Sequence, residues 1–248
     1  MFSIVCAVAF TFAINIKLVR LLVLTFILRN MGTDIVHLIV GEQKKKYAVH
    51  ENLLVAASTW FAKKQYSVLK SQVLHRENIY NFPNMTPFVC ETFLALLYGS
   101  SFEDTGCNNL EGFLDIYVFA CETQCLDLKN EAIDSIQGWW ELDCPTPALV
   151  GQVFERTKNF ENSKLLDLCV YFLHFAHSRK SHKWTTKRLE KCLSTYPGLL
   201  TKYLAIEELA RPRKSSRSMT RYKAFNDRCH FHDHGLELSR EQCAKRKY

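Results

Sequence analysis

The densest set of side chains able to do chemistry is Cys229-His230-Phe231-His232-Asp233-His234, followed by Cys243. Two thiols and three imidazoles fall within fifteen residues, in a segment that reads as too polar to bury them as core. Tetrahedral zinc takes four nitrogen or sulfur ligands. Cys229, His232, His234 and Cys243 would supply two of each, and the alternation of an extended segment would hold His232 and His234 on one side with His230 turned away. The last gap is long and the spacing is not that of a zinc finger. The same residues also read as a solvated basic tail with incidental histidines.

Other chemistry is thin. His50-Glu51 invites comparison with a zinc-protease helix, which needs a second histidine one turn on. That position holds Leu54, so His50 is expected to be structural, its ring bonded to backbone or to Asp34. Cys121 and Cys125 sit one helical turn apart on an apolar stripe and read as core thiols. The sequence has no glycine-rich phosphate loop and no nucleophile elbow. The expectation is that the chain is not an enzyme.

The elements that would position these residues follow from periodicity. From Asp34, Ile-Val-His-Leu-Ile-Val-Gly reads as a strand covered on both faces, and Gly41 to Lys44 as a turn. Tyr47 and Val49 alternate with Lys46 and Ala48 as a second strand, which passes at His50 into a short helix carrying Leu53, Leu54 and Ala57. That helix is expected to stop at Ser58-Thr59, after which Trp60 and Phe61 are suited to closing a core. Lys63 to His75 reads as mixed. Glu77 to Pro83 reads as a third strand ended by proline. Thr86 and Pro87 open a helix as cap and first helical residue, with Val89, Phe93, Leu96 and Leu97 buried and Tyr98-Gly99 at its end. Apolar residues from Leu110 to Ile136 then recur at three and four, the pattern of a helical hairpin.

The run from Lys46 to Phe61 resembles the BTB/POZ family. In that family a strand ends in a histidine, a short apolar helix follows, and a serine precedes a phenylalanine; the matching residues here are Val49-His50, Leu53-Leu54, Ser58 and Phe61, with Asp34 at the opening of the domain. The later strand, proline and helix follow the family's order, although its Tyr-x-Gly ending is shortened here to Tyr98-Gly99. The resemblance covers residues 34–138. It implies an α/β (α+β) fold, a small sheet flanked by helices, and a non-enzymatic protein-interaction module that forms homodimers or binds a scaffold protein. Some members connect substrates to cullin-type ubiquitin ligases.

Residues 139–210 read as an all-helical extension, opened by Thr146-Pro147, like the one that follows many fungal-type BTB domains. Arg211 to Arg217 reads as a linker and 211–248 as a basic tail, whose Cys-x-x-His-x-His resembles an ending common in such proteins. Residues 1–33 form an apolar opening of open status. Met1 to Ile14 lacks the basic residues a signal peptide carries, and Asn15, Lys17 and Arg20 interrupt a membrane span. A misassigned start, an anchor and a buried helix all remain readings of it.

Composition bounds the rest. Apolar residues make up 48% of 248, enough for a real core, and ten scattered cysteines favour a reducing cytoplasmic or nuclear compartment. The net charge of +7 lies wholly in the tail: from Arg211 onward 11 basic and 4 acidic residues give 11 − 4 = +7. A neutral body with a basic tail, in which Tyr222, Phe225 and Phe231 are interleaved, makes nucleic-acid or chromatin binding the competing function. Phosphate binding weakens steeply with salt and apolar dimerisation does not, so a salt titration separates the two.

Overall fold

A computed structural model describes residues 32–70, 79–102, 104–160, 163–210 and 228–234. The apolar opening, the linker Arg211 to Arg217 and Cys243 lie outside them. The fold is mixed α+β and mostly helical, with three strands, nine α-helices and one 3-10 turn among the described residues. It divides into two units. One runs to Gly112 and takes in Thr123–Cys125; the other holds Phe113–Glu122 and the described residues from Leu126 on. The boundary expected after 138 therefore falls inside a helix, Leu126–Leu142.

In the first unit, β1 (Ile35–Val40) and β2 (Lys45–His50) pair antiparallel, with Val36 opposite Val49 and Leu38 opposite Tyr47. The turn between them needs left-handed backbone at Gly41 (φ 70°) and Lys44 (φ 54°), closed by Lys44 N–H donating to the Gly41 carbonyl at 3.0 Å. Side chains alternate across a strand. Val36, Leu38 and Val40 are accordingly fully buried, while Ile35 on the opposite face is 45% exposed. The sequence reading of β1 as covered on both faces is thus corrected: one face only is closed.

Two helices carry the chain across to β3 (Ile79–Phe82), which lies parallel to β1, His37 opposite Ile79; parallel neighbours require such a crossover. α1 (Glu51–Ala57) ends at Ser58 in extended conformation, and α2 (Thr59–Lys70) starts at the next residue. The expected stop at Ser58-Thr59 is therefore a corner, and helix continues from Lys63 to Lys70, the rest of that stretch lying outside the described residues. α3 (Pro87–Leu97) is capped as expected: Thr86 Oγ1 accepts from Val89 N–H at 3.3 Å with Pro87 in the first turn. Gly99, at φ 90°, supplies the left-handed residue just beyond Tyr98.

The second unit contains α4 (Leu110–Glu122) from Phe113 on, α5 (Leu126–Leu142), α6 (Pro147–Thr157), α7 (Lys164–Ser178), α8 (Thr186–Thr195) and α9 (Leu199–Ala210). Thr146, Ser163 and Thr185 each cap the helix that follows, accepting from Leu149, Leu166 and Arg188. The core runs through Ile133, Ile136, Val150, Val153, Leu168, Phe172 and Leu173, all at most 1% exposed. α7 is its centre: it packs on α5, α6 and α9.

One glycine here fixes a close approach. A Cβ on Gly151 in α6 would lie 2.1 Å from Tyr196 Oη and 2.8 Å from its Cζ. Tyr196 cannot simply swing aside, because its ring packs on Phe154 at 5.1 Å. Gly151→Ala is expected to destabilise by about 1–2 kcal/mol, overpacking outweighing the roughly 1 kcal/mol gained in helix propensity. In a Tyr196→Ala background the same change should stabilise. A double-mutant cycle by urea melting reads the reversal of sign.

Candidate interaction site and the Cys/His segment

The junction at His50 is built by local and long-range bonds. Glu51 N–H donates to the Asp34 carbonyl at 2.9 Å, tying the start of α1 to the chain just before β1. The His50 ring bonds elsewhere than to Asp34: its Nδ1 lies 2.7 Å from Tyr98 Oη, and the His50 main-chain N–H donates to the same oxygen at 3.3 Å. With Tyr98 Oη accepting from the main chain, its own hydrogen is left for Nδ1. Tyr98 thus staples the end of β2 to the end of α3.

Ser58, 2% exposed, fixes the corner between α1 and α2. Its hydroxyl donates to the Thr123 carbonyl and accepts from Phe61 N–H at 3.2 Å. Gln124 reinforces it, accepting from Thr59 Oγ1 at 2.9 Å and Lys63 Nζ at 3.3 Å. The corner aims Phe61 inward, where it meets Trp60 at 4.9 Å and Tyr80 at 5.1 Å between ring centres. Leu54 and Phe61 are fully buried. His50, Leu54, Ser58 and Phe61 therefore all act in holding this junction, and Asp34 acts through its main chain.

The opposite sheet face is where this unit meets solvent with apolar surface. Ile35 and Ile79 are 45% and 41% exposed, and both neighbour His37 on that face. Among the described residues β2 and β3 are the two edges of the sheet.

The structure places the Cys/His residues differently from the extended alternation the sequence suggested. Arg228–Phe231 is a 3-10 turn packed on α5 and α7. The segment is not a solvated tail. Cys229, Phe231 and His232 are buried while His230 and His234 are exposed, so His232 and His234 do not share one side. Cys229 Sγ and His234 Nε2 come together at 3.2 Å, whereas His232 Nε2 lies 3.0 Å from Asp134 Oδ1. Among the described residues no group of three or more His, Cys, Asp or Glu is placed to hold a metal ion. Cys243, the fourth ligand of the zinc reading, lies outside those residues; Cys229 and His234 alone supply two of the four donors that tetrahedral zinc takes.

The chain matches no protein-family model and no curated protein.

Burial suppresses thiol chemistry at four other cysteines. It pushes Cys90 up to about 12 and Cys121 and Cys192 up to about 11, and it drives Cys169 higher still. The thiolate is the reactive form, so at neutral pH these four side chains are packing groups. Among the described residues no helix is long and apolar enough to cross a membrane.

The residue that sequence reading missed is Tyr98, taken there only as a helix end. The signal was present in its place: a tyrosine at the C-cap of a helix.

Proposed function

We propose that this chain is a non-enzymatic protein-interaction module of the BTB/POZ type, which self-associates and acts as an adaptor to a scaffold protein such as a cullin-type ubiquitin ligase. The observation that carries the reading is the junction at His50. A strand ending in histidine, a short helix, a serine-fixed corner and a buried phenylalanine occur in the order the family resemblance implies, followed by a strand and a capped helix closing on Tyr98. The bonds at this junction hold backbone in place.

The self-association surface in this reading is the outward face of the sheet. Apolar side chains on an exposed face of a sheet gain by meeting a second copy. Sedimentation velocity of the full chain, with and without Ile35→Glu and Ile79→Glu together, tests it. The expected result is a dimer for the native chain and at least about tenfold weaker association for the variant, with the fold retained, as circular dichroism of the variant at low concentration reads. A strict monomer at high micromolar concentration overturns self-association, and direct binding to a purified cullin tests the adaptor role separately.

A further inference from the structure

The segment 228–234 is held in the groove between α5 and α7 as a receptor holds a peptide. Asn130 on α5 pairs with the main chain of Asp233 in both directions: its Nδ2 donates to the Asp233 carbonyl at 2.9 Å, and its Oδ1 accepts from the Asp233 N–H at 3.0 Å. Such pairing satisfies an incoming backbone whatever its side chain. Lys129 then reads the Asp233 carboxylate. One turn on from Asn130, Asp134 receives His232, whose side chain is 1% exposed. Phe231, 2% exposed, stacks edge-on against Tyr171 of α7 at 5.7 Å.

Charge, main chain and apolar contact are thus each matched at successive positions, an acid by a lysine, an imidazole by an aspartate and a phenyl ring by a tyrosine. We propose that this groove is a docking site for short peptides carrying an aromatic-His-Asp run, and that the chain's own Phe231-His232-Asp233 occupies it as an intramolecular competitor. The polar contacts supply the specificity such a site needs: an acid, an imidazole and a main-chain amide, each met by its own partner, select one sequence. The inference does not depend on self-association through the sheet.

A tethered segment competes at an effective concentration of about millimolar. The native chain should therefore take up added peptide poorly until its own segment is weakened. The test uses a fluorescein-labelled peptide with the sequence of Arg228 to His234, under reducing conditions, and a control peptide with its phenylalanine and aspartate replaced by alanine. Full chain carrying Phe231→Ala and Asp233→Ala is expected to bind the native peptide at least about tenfold more tightly than unaltered chain does. The control peptide should not bind, and adding Asn130→Ala should remove binding of the native one. If the folded double variant binds neither peptide, or both equally, the groove is not a peptide site.

Hydrogen exchange on the unaltered chain can overturn the proposal even if that variant fails to fold. The Asp233 amide should exchange through a local opening, faster than the amides of Leu168 and Phe172 in the middle of α7. Equal rates would mean that the segment leaves only when the whole unit unfolds, and would overturn the proposal.

Discussion

Phe61→Ala is expected to unfold the strand-bearing unit or nearly so, at a cost of about 3–5 kcal/mol. Phe61 is fully buried and meets Trp60, Tyr80 and Phe82, so its loss opens a cavity on the inner side of β3 and deprives three rings of a neighbour. Domains of this kind are stable by only about 5–15 kcal/mol. At a slope of about 2 kcal/mol per molar urea, the midpoint should fall by about 2 M. His50→Ala, which removes one hydrogen bond to Tyr98 at a half-buried site, should cost only about 1 kcal/mol. Near-ultraviolet circular dichroism, to which Trp60 contributes, follows both. An unchanged midpoint for Phe61→Ala would mean that the corner at Ser58 does not aim the ring into the core.

Trp184→Ala is the second large effect expected, again about 3–5 kcal/mol, in the helical unit. Trp184 lies between α7 and α8 and is 1% exposed, and its Nε1–H donates to the Pro145 carbonyl at 2.8 Å. Pro145 directly precedes Thr146, the cap of α6, so a single indole anchors the entry of one helix to the exit of another. Trp184→Phe separates the two contributions. It keeps most of the packing but leaves a buried carbonyl without its donor, a penalty of about 1–3 kcal/mol. Thermal unfolding of the three proteins should rank native above Trp184→Phe above Trp184→Ala, and equal melting of the last two would assign the whole effect to the hydrogen bond.

What the sequence made legible was local. Thr86-Pro87 and Thr146-Pro147 each carry their cap within four residues, and the structure returns both bonds. The strand-to-helix change at His50 was legible because the apolar period shifts there. α8 was not singled out because only Leu189 and Cys192 of it are buried, too few positions to mark a period. The helix after Ser58 was obscured because a corner and a terminus look alike in sequence. The partners of His50 and His232 were illegible for another reason: Tyr98 and Asp134 stand 48 and 98 residues away, and no local pattern encodes such pairs.

The distance along the chain between Asn130 and Asp233 also sets a schedule. The groove on α5 and the residue it grips are 103 positions apart. A ribosome adding about 5–20 residues per second delivers the second roughly 5–20 s after the first. Since α7 ends well before Phe231, the helices that line the groove are complete while its eventual occupant is still unmade. From the end of α7 at Ser178 to Asp233 is 233 − 178 = 55 residues, about 3–11 s of synthesis, and for that interval a nascent copy whose helices have folded presents the site bare, so a peptide that reaches it then meets no competition from the tail.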